Sequence, residues 1–317
     1  MNKNSWVALA SLIALFSGFA DVCPAQDTME KPAVEQSTAG SGTKSEASDD
    51  EKWESLLDTE MSKFVPFMGI PHPSVKGLPE GTFQSKKMKG TPMGLNNDVK
   101  NVFSIVEENG EPVLKITGEI FGGLTSKKEY ENYHFRTKFR WGEKKWEPRL
   151  NAVRDNGILY HCVGKHGRFW EVWKSSIEYQ VQEKDLGDLY ALGGTSAEVR
   201  VSGEENKKKR YDVESDEFLL KGNCSAGVEP DKPHGEWNDL EIYTVGSTSV
   251  HIANGKILMV LENMRYKGKP LKRGEIQIQS EAAECEYKQM QLRPITDFPA
   301  ELKAKMRLRD PKDYGNK

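Results

Sequence analysis

From residue 103 to residue 295 the chain is a succession of short runs in which apolar and polar side chains alternate, punctuated by turns rich in Gly, Asn and Pro. A period of two places successive side chains on opposite faces of an extended strand, whereas an amphipathic helix repeats at 3.6, and hardly any stretch here does so. Asn109-Gly110 joins the runs 103–108 and 113–117, and Asn254-Gly255 joins two more. Such dipeptides suit the tight turns of antiparallel hairpins because both residues tolerate positive φ. In 133–141, Tyr133, Phe135, Thr137, Phe139 and Trp141 share one face, and His134, Arg136, Lys138 and Arg140 share the other. No unit recurs at a fixed spacing, which disfavours propellers and solenoids. The expected class is all-β, two antiparallel sheets packed as a sandwich.

Residues 155–190 read as two strands and a loop between them. In the second, Ile177, Tyr179 and Val181 alternate with Glu178, Gln180 and Gln182, so the three polar groups line one face. In the first, Ile158, Tyr160 and Cys162 are expected on one face and Leu159 and His161 on the other, which would bring His161 near the polar row. The loop carries Trp170 and Trp173. One face packs and the other is free to hold a ligand.

The flanks read differently. Lys3, an apolar run over 6–19 and small residues near Cys23-Pro24-Ala25 have the layout of a cleaved secretory signal, 1–25, with an apolar core too short to span a bilayer. Export, to the periplasm or beyond, is the expected localisation. Residues 26–50 are rich in Ser, Thr, Gly, Glu and Lys and read as a disordered linker. The remainder, 51–317, is expected to form one domain with an N-terminal extension over 51–100 and a charged tail over 298–317. Trp53, Leu56, Leu57 and Met61 at near-helical spacing predict a short helix over 51–61. Pro66, Pro71, Pro73 and Pro79 predict a segment laid across a sheet or its edge, and 299–306 predicts one more short helix. Cys162, Cys224 and Cys285 would remain after cleavage, an odd number that permits one bridge at most, in any of three pairings. The formal net charge of −3, with Lys207 to Arg210 the one dense basic run, argues against a nucleic-acid partner.

A series of motifs in order carries a resemblance: Gly122-Gly-Leu-Thr-Ser126, Phe139-Arg140-Trp141, Asn156-Gly-Ile158, Ile177-Glu-Tyr-Gln-Val-Gln182, Gly235-Glu-Trp-Asn238, His251-Ile-Ala-Asn-Gly255 and Gly274-Glu-Ile-Gln-Ile-Gln279. Over roughly 122–295 the chain resembles the 3-keto-disaccharide hydrolase domain family, formerly a domain of unknown function. The resemblance implies a concanavalin A-like jelly roll and cleavage of glycosides whose C3 hydroxyl has been oxidised to a ketone. The chain departs from the family's pattern in three places. Leu56-Leu57-Asp58-Thr59 stands for an early Leu-Phe-Asn-Gly-Lys, Gln279-Ser280-Glu281 for a late Gln-x-His, and Tyr287-Lys288-Gln289-Met290 for the closing Phe/Tyr-Arg-Asn-Ile.

A C3 ketone acidifies the C2 proton, so a base can remove it and the C1 substituent leaves by elimination, with water adding afterwards. This chemistry needs a general base, an electrophile for the enolate oxygen and a proton donor for the leaving group. Glu178 or His161 is the expected base, and Arg140 or a bound divalent cation the expected electrophile. Gln180 and Asn156 are expected to hold sugar hydroxyls, with Trp173 or Trp170 stacked on a pyranose face. No metal ligands are assigned, because no paired His or Asp motif occurs. Ordinary retaining hydrolysis wants two carboxylates, and the polar row offers only Glu178. Each residue also has an ordinary role open to it: a solvated sheet face for Glu178, a structural hydrogen bond for His161, a surface ion pair for Arg140, packing for Trp173. The expected partner is a carbohydrate, either as substrate or, in a non-catalytic carbohydrate-binding module, as ligand alone.

Overall fold

The structure, a computed structural model, describes residues 53–205 and 207–315. The predicted signal and linker lie outside the described residues. The principal strands are β1 (Phe64–Met68), β2 (Phe103–Glu108), β3 (Glu111–Ile116), β4 (Gly122–Ser126), β5 (Tyr133–Lys145), β6 (Asp155–Val163), β7 (Ser175–Gln182), β8 (Leu189–Leu192), β9 (Thr195–Ser202), β10 (Asn238–Val245), β11 (Thr248–Ala253), β12 (Lys256–Tyr266), β13 (Arg273–Ser280) and β14 (Ala283–Pro294). Helix α1 is Ala300–Met306.

These strands form two sheets. The first runs β9-β12-β11-β10-β5-β14-β3-β2 and the second β8-β7-β6-β13-β4-β1, with shorter strands at the margins. Neighbours in both orders are antiparallel. The chain passes between sheets repeatedly, from β4 to β5, β5 to β6, β8 to β9 and β12 to β13, so strands distant in sequence become neighbours. This is the jelly-roll arrangement of a sandwich, in which inward-facing side chains of both sheets make one core.

Alternation explains that core. Tyr133, Phe135 and Phe139 of β5 and Ile177, Tyr179 and Val181 of β7 are each at most 1 % exposed and belong to one apolar cluster between the sheets. Fully burying side chains of this size contributes about 1.5–3 kcal/mol each. A second, smaller cluster of Phe121, Leu159, Cys162, Val172, Trp173, Leu192 and Ala282 lies on the outer side of the second sheet, under the loops that cover it. Much of this sheet is therefore buried on both faces.

The helix predicted over 51–61 is absent from its described part, 53–61. Leu56 and Leu57 are both buried, and Leu56 N donates to Met290 O of β14 at 2.8 Å, as in an added edge strand. The Asp58 carboxyl then accepts from the amides of Glu60 and Ser62, which stabilises a turn where the helix would have run. Of the proline-rich segment, Pro66 lies in β1, which pairs with β4 on one side and with the two-residue edge strand Gly94–Leu95 on the other, and Pro71, Pro73 and Pro79 lie outside any strand. Cys162, Cys224 and Cys285 are buried free thiols. Among the described residues no helix is long and apolar enough to cross a membrane.

Candidate functional site

The outer face of the second sheet carries the polar row. Glu178 of β7 pairs with Leu159 of β6, and Gln180 with Gly157, so these positions share a face. Gly157 leaves the space that the row needs. A Cβ there would stand 2.3 Å from Glu178 Oε1 and 2.6 Å from Gln279 Oε1, so the two side chains converge over the glycine. Gly123 does the same for Gln277, whose amide would lie 2.5 Å from the added atom. Gln277 is fixed from both ends: Nε2 donates to Thr125 Oγ1 at 2.7 Å, and Lys174 N donates to Oε1 at 3.1 Å.

Two further carboxyls and one cation complete the cluster. Gln180 Nε2 donates to Asp155 Oδ1 at 2.9 Å. Arg149, from the loop before β6, lies 2.7 Å from Asp155 Oδ2 and 3.1 Å from Glu281 Oε1, and also donates to Gln182 Oε1 at 3.2 Å. Asp155, Glu178 and Glu281 are each about 5–6 % exposed. Charging a carboxyl in such surroundings is costly, so burial pushes Glu178 well above the usual carboxylate range, with the nearby Asp155 charge adding to it. Glu281 is pushed well above that range for the same two reasons, with Arg149 pulling the other way. Burial raises Asp155 to about 6, held from rising further by the Arg149 guanidinium. Burial thus favours the protonated form most at Glu178 and Glu281, while Arg149 favours the ionised form of Asp155. Gln279 Oε1 is buried and accepts no hydrogen bond from the described residues, while a hydrogen bond from the Gln279 side chain to Glu178 pulls that carboxyl back down.

Several predicted site residues lie elsewhere. His161 is in the core between the sheets. A bulge in β6, marked by register shifts against both β7 and β13 and by φ of +49° at His161, inserts one extra residue and slips the alternation. His161 therefore joins Tyr160 on the inner side, 2.9 Å from Thr244 Oγ1 of β10, and Cys162 moves to the outer side with Leu159. Burial drives the His161 ring down to about 3, so it stays neutral. Asn156 faces inward too, one position out of phase with Gly157: it donates to Gln279 O at 2.7 Å and accepts from Tyr287 Oη at 2.6 Å across the sandwich. Arg140 belongs to the other sheet, on its outer face, ion-paired with Glu286 and Glu108 and stacked on Trp237 at 4.4 Å.

Trp173 does lie on the polar side but beneath its cover, 2 % exposed, with Nε1 donating to Gly122 O at 3.1 Å. Trp170 lies over it, ring centroids 5.8 Å apart, and is 53 % exposed. The open aromatic surface belongs to Trp170. Asp155, Gln277 and Gln279 had a readable signal, since they share the outward phase of their strands. Arg149, in an irregular loop, and Glu281, beyond the end of a strand, had none.

The cation at the carboxyls is Arg149, seated between Asp155 and Glu281. Among the described residues no three His, Cys, Asp or Glu side chains are grouped so as to hold a metal ion.

Comparison with known proteins gives a profile match over residues 80–293 to a family described as a 3-keto-alpha-glucoside-1,2-lyase-like domain. No curated protein sequence matches. Among solved structures the chain is similar to a candidate glycosyl hydrolase from Parabacteroides distasonis, at 16 % identity and a TM-score of 0.42 over 77 % of this chain and 100 % of that one. It is also similar to a β-glucanase from Bacillus licheniformis, at 8 % identity and a TM-score of 0.35 over 77 % and 97 %. A carbohydrate-binding module from Bacillus subtilis is similar at 5 % identity and a TM-score of 0.36 over 60 % and 91 %.

Proposed function

The chain belongs to the 3-keto-alpha-glucoside-1,2-lyase-like domain family, a glycosyl-hydrolase-like, carbohydrate-active group, and from that premise we propose that it cleaves 3-keto-glycosides by elimination at the outer face of its second sheet. The observation that carries this reading is the cluster at and beside Gly157: three buried carboxyls, of which Asp155 and Glu281 flank the Arg149 guanidinium while burial raises Glu178. Pairs of carboxyls whose environments separate their proton affinities suit acid–base chemistry on one substrate.

Asp155, ionised above about pH 6, takes the C2 proton of the keto sugar. Electron density moves into the C3 carbonyl, and the enolate oxygen is met by Arg149, the cation at hand where Arg140 is not. The C1–O bond breaks as the enolate collapses, and Glu178, whose burial favours the protonated form, gives its proton to the departing oxygen. The product is an enone and an alcohol; water adding across the new double bond, with the two carboxyls exchanging roles, yields the free 3-keto sugar. Gln180 and Gln279 supply hydrogen bonds to hydroxyls, and Trp170 offers the exposed ring for a second sugar or aglycone. The sugar takes over hydrogen bonds that Arg149 and the amides now make among themselves.

Incubation of the purified protein with 3-keto-trehalose and a 3-keto-aryl-glucoside, beside the unoxidised glycosides, tests this. Turnover of the keto substrates alone, abolished in Glu178→Gln, is expected. Undiminished turnover in that variant removes Glu178 from the chemistry. Binding without turnover favours a carbohydrate-binding module, and cleavage of the unoxidised glycosides favours ordinary hydrolysis, for which the cluster has more than one carboxyl. Export is part of the same proposal. Mature protein recovered outside the cytoplasm and beginning at Gln26 is expected; a retained, uncleaved chain contradicts it.

A further inference from the structure

On the other side of the sandwich the outer face of the first sheet carries a groove of about 340 Å³, lined by Arg136, Lys138, Asp239, Glu241, Gln289 and Gln291. Its origin is local. The pairing of β14 with β5 shifts register between Lys288 and Gln291, and Gln289 takes φ of +51°, so an extra residue bends β14 and dents the sheet. The volume falls within the range of small-ligand sites.

We propose that this groove is a second carbohydrate-binding site, taking a neutral saccharide chain apart from any catalysis on the opposite face. The lining decides the class of ligand. Its two cations and two carboxylates cancel, which gives no net attraction to an ion, and Lys138 pairs with Asp239 across the groove. Arg136 Nε donates to Gln291 Oε1 at 2.9 Å, which leaves further guanidinium donors beside it. Glu241 is set by His134 at 2.6 Å, and Gln289 by Glu111 at 3.0 Å. These six side chains thus present fixed donors and acceptors around an apolar patch to which Leu240 contributes, a pattern that matches the hydroxyls and C–H faces of a sugar. A tryptophan marks each end of the row formed by Arg136, Lys138 and Arg140: Trp53, with the Arg136 guanidinium 3.8 Å over its ring, and Trp237, with Arg140 at 4.4 Å. Along β5 that row spans about 13 Å, long enough for more than one sugar ring, and the stacked cations hold both indoles in place.

The test is calorimetric titration of the full chain with maltohexaose, cellohexaose and laminarihexaose, and with a hexagalacturonate as the charged control. At least one neutral hexasaccharide is expected to bind and the galacturonate not to. Removing both partners of the pair, Lys138→Ala with Asp239→Ala, which also takes from Lys232 its 3.6 Å contact with Asp239, is expected to weaken binding about ten-fold or more. Gln291→Ala, made separately, guards against a misfolded double variant and is expected to act the same way. Glu178→Gln should leave this binding unchanged, which separates the groove from the proposed catalytic face. No binding by any neutral hexasaccharide, binding that both groove variants retain, or binding that Glu178→Gln abolishes overturns the inference.

Discussion

Glu178 and Gln279 meet over Gly157, with side-chain oxygens 2.3 and 2.6 Å from the point where a Cβ on that glycine would stand. Residues from strands almost a hundred positions apart in the sequence are brought together because β6 lies between β7 and β13, and a strand position without a side chain gives both room.

Gly157→Ala is therefore expected to force two buried side chains apart. Overpacking of this kind costs about 1–3 kcal/mol, so the melting temperature falls by several degrees, and turnover of keto-glycosides falls more steeply because Glu178 is displaced. A variant with unchanged melting and turnover would show that the two side chains do not depend on the gap.

The carboxyl cluster makes stability pH-dependent. Glu281 is held well above its ordinary range by burial, so the folded protein keeps a proton that the unfolded chain releases above about pH 4.3. Its contribution to stability therefore declines as pH rises from that value towards the folded pKa. Glu281→Gln stays neutral throughout and escapes the decline. The difference in melting temperature between variant and parent should move in the variant's favour from pH 5 to pH 8; a difference constant with pH would contradict the shift.

Arg149 restrains the rise of both Asp155 and Glu281. Arg149→Ala is expected to carry Asp155 above its value of about 6 and to move the acidic limb of the kcat/KM profile to higher pH, with Arg149→Lys intermediate. A limb that does not move would remove Asp155 from the titrating pair.

His161→Phe takes away a hydrogen bond to Thr244 and leaves a buried hydroxyl short of a partner, a loss of about 1–3 kcal/mol readable by urea unfolding. In the folded variant kcat/KM should stay close to the parent's. A collapse of turnover without unfolding would return His161 to the chemistry.

How far the chain is legible follows from what each feature depends on. Alternation along β5 and β7 depends on a residue's immediate neighbours, and the faces read for Phe135, Phe139, Ile177 and Tyr179 are those in the structure. Alternation in β6 fails at one place. The bulge that exchanges His161 and Cys162 is a property of pairing: Gly274 of β13 approaches the His161 backbone so closely that an added Cβ would lie 2.4 Å from its carbonyl carbon. The misread segment at 53–61 has the same cause, since Leu56 is drawn to β14 by a partner more than two hundred residues away.

The sequence by itself determined an all-β chain, the polar phase of Glu178 and Gln180, the short helix near the C-terminus and a family pattern in ordered motifs. Tertiary structure alone decided that Asp155, Glu281 and Arg149 join Glu178, that His161 and Asn156 turn into the core, and that Arg140 lies on the other sheet. Strand periodicity is local and survives in one dimension, whereas the faces of a sandwich and the meeting of charges across it depend on strand order, register and a single inserted residue, which exist only after the sheets have packed.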